Sequence, residues 1–280
     1  MGKLFLVATP IGNLQDITLR ALKVLREVDL IAAEDTRRSL KLLNHFNIKK
    51  PLVSYHKYNE NEKGRELIKK LEDGNDIALI SDAGTPGISD PGSVMVRNCI
   101  EYGIDFEVLP GATAVTTALV YSGLNTSRFI FIGFLPRDIK SKKGILEDIV
   151  ERRETLIFYE APHRLLNTLK VLNTVLGNRH AAICRELTKI HEEIFRSTLE
   201  EVTSYYENRD IKGEFVIIVE GKSEEEFLME KREKWISLSV EEHIKMYMDE
   251  GLSKKESMKK VARDRNVSKS EIYRYSINLQ

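Results

Sequence analysis

The stretch S-D-A-G-T-P-G-I-S-D-P-G, Ser81 to Gly92, sets three glycines, two prolines and two aspartates directly after the apolar run I-A-L-I. A strand-to-helix connector is ordinarily about two to six residues long, so this one is stiffer and longer than a connection requires. Two more loops share its character: A-T-P-I-G-N-L around Pro10 and L-P-G-A-T-A around Pro110. Proline fixes the backbone and glycine admits close approach or a positive φ. Such loops present backbone N–H and C=O groups at set positions. Tight turns are a sufficient reading of any one of them, whereas three at one edge of one sheet argue for a ligand cleft. The usual phosphate cradles are absent: the chain has no G-x-x-x-x-G-K-[ST] and no G-x-G-x-x-G after its first strand. The ligand is therefore expected to be held by backbone groups and shape, and it need not be strongly anionic.

The elements that position these loops follow from hydrophobic patterning. Strands are expected at Lys3 to Ala8, Asp29 to Ala33, Pro51 to Tyr55, Asp76 to Ile80 and Asp105 to Leu109, with helices at Thr18 to Val28 and Asn59 to Leu71 between them. Strands apolar on both faces, alternating with helices, indicate a parallel sheet covered on both sides. After a helix over Ala112 to Ser122, strands recur at Arg128 to Pro136, Thr155 to Glu160, Ala181 to Glu186 and Glu214 to Glu220. This second set reads as mixed or antiparallel, because H-E-E-I-F-R-S-T-L-E-E-V can supply one more strand. The expected division is residues 1–115, residues 116–222 and a C-terminal piece, 235–280, with the first boundary near Gly111 to Gly123 and a charged linker over Ser223 to Lys234. In a parallel α/β sheet, ligands bind beyond the carboxyl ends of the strands, which is where these loops fall.

Lys plus Arg and Asp plus Glu both number 43, so no global field draws the chain to a polyanion or a membrane. The two cysteines, Cys99 and Cys184, fit a reducing cytoplasm and argue against a disulfide framework or a zinc site. No apolar run approaches the roughly 18 residues of a membrane span.

The loops T-P-I-G-N-L, S-D-A-G-T-P-G-I-S-D-P-G and L-P-G-A-T-A together resemble the tetrapyrrole methylase superfamily. With Y-E-A-P-H-R and R-E-L-T-K-I-H-E-E, they resemble in particular its ribosomal RNA branch. The resemblance runs from about Lys3 to Gly221. It implies two α/β domains with S-adenosylmethionine in the cleft between them, and methylation of the ribose 2′-oxygen of a decoding-site cytidine in 16S rRNA of the small ribosomal subunit. A homodimer is implied too. Carried over by position, Pro10 and Gly12 belong to the first cofactor loop, Asp82, Gly84, Thr85 and Pro86 to the second, and Pro110, Gly111, Ala112 and Thr113 to the third. Tyr159 and Ala161 would close over the cofactor from the second domain.

Methyl transfer to a hydroxyl needs in-line placement and removal of a proton, and it needs no metal. Glu160 or Glu186 is the expected base, with Arg164 and Arg185 holding neighbouring phosphates. The competing reading is that these residues form an ion-pair network. His45, His56, His180 and His243 read as solvated or packed.

Beyond Leu238 the chain reads as three short helices with turns at Gly251 and Asn266, a helix-turn-helix-like unit. Ser253 and Ser268 are placed to cap helices, each followed three residues later by a glutamate. From Leu252 onward there are eight Lys/Arg against three Asp/Glu, a local excess suited to a nucleic-acid backbone. Lys254, Lys255, Lys259 and Lys260 are the candidate RNA contacts, against the alternative of a solvated helical cap. Two rival functions stay open at this point. One is a precorrin-like tetrapyrrole methylase, and the other is a ligand-sensing nucleic-acid-binding regulator.

Overall fold

The computed structural model describes residues 1–224, 229, 232 and 235–276, which fall into two compact units, Met1–Gly221 and Lys222–Gln280. Within the expected linker over Ser223 to Lys234, residues 225–228, 230–231 and 233–234 lie outside the described residues, as do 277–280 at the end of the C-terminal piece.

In the first unit, β1 (Leu4–Val7), β2 (Leu30–Ala33), β3 (Leu52–Ser54), β4 (Ile77–Ile80) and β5 (Phe106–Leu109) form a parallel sheet in the order β3-β2-β4-β1-β5. Every residue of β2 and β4 is buried, as expected for parallel strands covered on both faces. Helices α1 (Leu19–Glu27), α2 (Thr36–His45), α3 (Glu60–Glu72) and α4 (Ser93–Tyr102) cover it. Helix starts are set locally: Thr18 accepts the Ala21 N–H to open α1, and Asp35 accepts the Arg37 N–H to open α2.

Helix α5 (Ala114–Ser122) leads into a second sheet made of β6 (Phe129–Phe134), β7 (Thr155–Glu160), β8 (His180–Arg185), β9 (Glu193–Thr198) and β10 (Phe215–Val219). Its order is β6-β7-β10-β8-β9, with the β6–β7 pair parallel and the remaining pairs antiparallel. The strand expected inside H-E-E-I-F-R-S-T-L-E-E-V is β9. Helices α6 (Ile139–Ile149), α7 (Leu165–Leu176) and α8 (Leu199–Glu207) complete this half. A buried cluster joins the halves: Ile11, Val115, Ala118 and Leu119 pack against Ile157, Ala182, Cys184 and Val216. Here α5 lies on β8 and β10.

The second unit holds α9 (Val240–Asp249), α10 (Lys254–Asp264) and α11 (Lys269–Ser276) around Ile244, Tyr247, Val261, Ala262 and Ile272. Gly251 and Asn266 take positive φ at the two expected turns. Capping boxes form at Ser253 with Glu256 and also at Ser239 with Glu242, and Ser268 accepts the Glu271 N–H. His243 is packed, as expected: it is fully buried, stacks 4.7 Å from Trp235 and accepts a 3.2 Å hydrogen bond from Arg265. Lys255 and Lys259 are exposed, whereas the Lys260 ammonium sits 4.0 Å over the Tyr247 ring and 3.9 Å from Glu250. Among the described residues no helix is long and apolar enough to cross a membrane.

Candidate functional site

The three proline–glycine loops converge at the carboxyl ends of β1, β4 and β5. Thr9 and Gly84 exchange backbone hydrogen bonds of 2.9 and 3.0 Å, tying the first loop to the second. Gly84 has φ 78°, a conformation that a branched residue adopts only under strain. The third loop approaches as closely, because a Cβ built on Gly84 would stand 3.6 Å from the Ala112 carbonyl.

Between this edge and the second sheet lies a cavity of about 320 Å³, within the size range of a small-molecule site. Gly84, Thr85 and Thr113 line it from the loops, and Tyr159, Glu160 and Ala161 line it from the end of β7. Ile11, Ile88, Ala114, Phe134, Leu187 and Val216 make most of the wall apolar. The Tyr159 ring is held edge-on by Phe131 and Phe134 at 5.0 and 5.5 Å, and burial pushes its hydroxyl up to about 12. Pro10, Gly12 and Asp82 line a neighbouring chamber of about 300 Å³ that shares Ile11, Ala83 and Glu214 with the first. Pro86, Pro110, Gly111 and Ala112 line neither; they belong to the loops that shape the walls.

One carboxylate in the cavity stands apart. Asp90 makes no hydrogen bond or ion pair among the described residues. Burial, and then the negative charges of Glu34, Asp82 and Glu214, push it up to about 7. Of the nearby acids, Asp82 pairs with Arg38 at 3.1 Å and Glu214 with Lys189 at 2.8 Å, while Glu34 accepts the Asp82 N–H at 3.5 Å. Asp90 lies inside the twelve-residue motif, yet the sequence pattern assigns it no role. Nothing local marks it, since its isolation arises only when β2, β4 and β10 come together.

The charged groups expected to do chemistry sit in hydrogen-bonded networks. The Glu160 side chain is fully buried. It accepts from the Ala161 N–H at 2.9 Å, from Thr168 at 2.6 Å and from Arg164 at 3.1 Å. Thr168 in turn accepts from the buried Lys142 at 2.7 Å. Arg164 donates to the carbonyls of Leu135 and Pro136, fastening the end of β6. With three donors on it and no exposed surface, the Glu160 carboxylate is held within the protein. Glu186 has φ 50° and accepts from Lys189 and from the Glu214 N–H, each at 2.9 Å. Its burial alone would raise the carboxyl, but these donors outweigh that and hold it below the usual range, the wrong direction for a base. Arg185 donates to the Lys212 carbonyl at 2.7 Å and pairs with Glu193 at 3.3 Å, and it lines a separate cavity. The ion-pair reading therefore describes all four as the structure places them.

The R-E-L-T-K segment has a packing role. Thr188 holds φ 64°, unusual for a β-branched residue, and its hydroxyl accepts the Asn13 N–H at 2.9 Å. A Cβ on Gly12 would fall 2.7 Å from the Leu187 carbonyl and 2.6 Å from the Thr188 hydroxyl. Gly12 is thus required for this strained segment to close over the first loop.

Two α/β layers with a proline–glycine-walled cleft define a class, and residues 3–203 match the family model described as Tetrapyrrole (Corrin/Porphyrin) Methylases. A solved structure of diphthine synthase shares the fold, with a TM-score of 0.62 at 17% identity over 79% of this chain and 91% of that one. Ribosomal RNA small subunit methyltransferase I of Halalkalibacterium halodurans is 52% identical over 273 residues, covering 97% of this chain and 93% of the relative. The protein of the same description from Thermotoga maritima is 46% identical over 222 residues, which make up 79% of this chain and 100% of the relative. The chain belongs to the tetrapyrrole methylase family and, within it, to the ribosomal RNA small subunit methyltransferase I group.

Proposed function

We propose that the protein methylates the ribose 2′-hydroxyl of a decoding-site cytidine in 16S rRNA of the small ribosomal subunit, with S-adenosylmethionine as donor, and that it works in the cytoplasm as a homodimer. The observation that carries the cofactor assignment is an apolar cavity of about 320 Å³ faced by one carboxylate without a partner, Asp90. S-Adenosylmethionine suits it, because the molecule pairs a flat aromatic ring system, whose faces can lie against apolar walls, with a sulfonium and an ammonium. When bound, it supplies an electrophilic methyl group.

This chain's residues then have separable tasks. Thr85, Thr113 and Ala161 orient the cofactor by shape and backbone, and the Tyr159–Phe134 pair offers an aromatic edge for a ring. Asp90 meets positive charge. A carboxylate kept near neutrality by burial and like charges gains most from a cation, because the cation relieves both penalties at once. The apolar wall excludes water, which strengthens that contact. Glu160 and Arg164 fix the end of β7 and the segment after β6, so that Tyr159 and Ala161 stay in place.

The C-terminal lysines take a secondary part in this reading. A relative that carries the rRNA description along its whole length is matched by 222 residues, which is the size of the first unit, Met1–Gly221. The test is transfer of a labelled methyl group from S-adenosylmethionine to purified small-subunit rRNA and, in parallel, to a tetrapyrrole. Label in RNA alone is expected. Label in the tetrapyrrole, or in neither, would overturn the proposal.

A further inference from the structure

The geometry points to a substrate trough along α2 that takes the sugar–phosphate backbone of single-stranded RNA and leads it to the cofactor cavity; this rests on the rRNA reading above. Three cavities stand in series. The inner one is the apolar chamber faced by Asp90. The middle one, about 300 Å³, is lined by Arg38, Lys41, Leu42 and Lys189 and shares Ile11, Ala83 and Glu214 with the inner. The outer one, about 710 Å³, is lined by His45, Thr188, Lys189 and His191 and shares Gly12, Leu14 and Lys189 with the middle.

One wall follows from helical spacing. In T-R-R-S-L-K-L-L-N-H, Ser39 and Leu43 are buried, and i, i+4 spacing puts them on one face. Arg38, Lys41 and His45, at i, i+3 and i+7, then share another face, and that face lines the middle and outer chambers. The opposite wall is the strained segment that closes over Gly12, with Lys189 and His191 in the lining and Ile190 97% exposed beside them. The acids that line the middle chamber are Asp82 and Glu214, each held in an ion pair, with Arg38 and Lys189 respectively. Lys41, in the lining of the middle chamber between the other two, is left without a carboxylate partner among the described residues.

Phosphodiesters are the partner that fits. Compact ammonium groups bind phosphate as point charges, without reading sequence. A chamber of about 300 Å³ has room for a nucleotide and none for a duplex. The exposed Ile190 offers an apolar face on which a base can rest. Sequence recognition is not required of this surface, whose task is to hold the strand in register with the inner chamber.

The test uses the full-length protein and two probes, purified small-subunit rRNA and a fluorescein-labelled single-stranded RNA of decoding-site sequence. Lys41→Gln, Lys41→Glu and a control, Lys23→Gln on α1, are compared by anisotropy across a salt series, with calorimetric S-adenosylmethionine affinity measured in parallel. For Lys41→Gln the log–log salt slope should fall by about 0.7, one single-strand phosphate contact. Lys41→Glu should weaken RNA binding by about tenfold or more at low salt. Both should leave cofactor affinity and melting temperature at wild-type values, and Lys23→Gln should match wild type throughout. A Lys41→Glu protein that binds RNA with wild-type affinity and slope would overturn the trough while leaving the rRNA reading intact. A wild-type protein that neither binds nor methylates the rRNA would instead refute the reading on which the trough rests.

Discussion

Replacing Asp90 with asparagine should make the cofactor-free protein more stable and its cofactor binding weaker. Folding lifts this carboxyl from an ordinary 3.8 to about 7. The folded state therefore holds the proton more tightly than the unfolded chain, so stability is lost as pH rises from about 4 through 7. A shift of about three units has a ceiling of about 4 kcal/mol at about 1.4 kcal/mol per unit. Asp90 is only half-buried, and solvent screening reduces the figure to about 1–2 kcal/mol. The asparagine substitution would lift that burden and raise the melting temperature by roughly 2–8 °C at pH 8, but by only about half as much at pH 5.5, where the native carboxyl is mostly protonated. The sign reverses for S-adenosylmethionine. Losing the partner of a desolvated charge costs at least about 2 kcal/mol, so affinity should fall about thirtyfold. Wild-type affinity should also climb from pH 6 through 7 and level off above about 8, because the cation needs the ionised form. Calorimetric titration and thermal melts at both pH values decide the matter. An Asp90→Asn protein with wild-type cofactor affinity, or one no more stable at pH 8, would refute the reasoning.

Other perturbations separate structure from chemistry. Glu160→Ala strips a buried carboxylate from Thr168, Arg164 and the Ala161 N–H and should destabilise by about 3 kcal/mol; a chemical-denaturation midpoint equal to wild type would restore the catalytic reading. Gly84→Val forces a branched residue to φ 78° and should cost roughly 1–3 kcal/mol along with measurable cofactor affinity, read by calorimetry; an unchanged titration in a folded variant would show that the loop is no part of the cradle. Deleting residues 238–280 should leave cofactor binding intact and reduce RNA affinity only in part, read as a flatter salt dependence; complete loss of methyl transfer would move the essential RNA surface into the C-terminal unit.

How much of this was legible in the sequence depended on the range of the interaction. The parallel sheet was, because I-A-L-I and L-I-A-A are apolar at every position and strands buried on both faces leave that mark. The loops were too, since proline and glycine act on their own backbone. Strand β9 was only suspected, because E-I-F-R-S-T carries polar residues and owes its place to pairing with β8. The setting of Glu160 was legible only as one of two readings, because the Thr168 that donates to it lies eight residues on and the Lys142 behind that threonine lies in an earlier helix. Asp90 was hidden for the opposite reason, as its property is the lack of a partner, which only the assembled fold reveals. The α2 face shows an intermediate case. Its periodicity stands in the sequence, but the sequence alone does not say that the face lines a trough rather than meeting open solvent.

The most direct test is the identity of the methylated nucleoside. Small-subunit 16S rRNA treated with the protein and isotopically labelled S-adenosylmethionine is digested to nucleosides and resolved by mass spectrometry. The expected result is a single labelled product, cytidine with the added mass on its ribose, and its loss in the Asp90→Asn protein at limiting cofactor. Label on a base, on a nucleoside other than cytidine, or unchanged in the Asp90→Asn protein would contradict it.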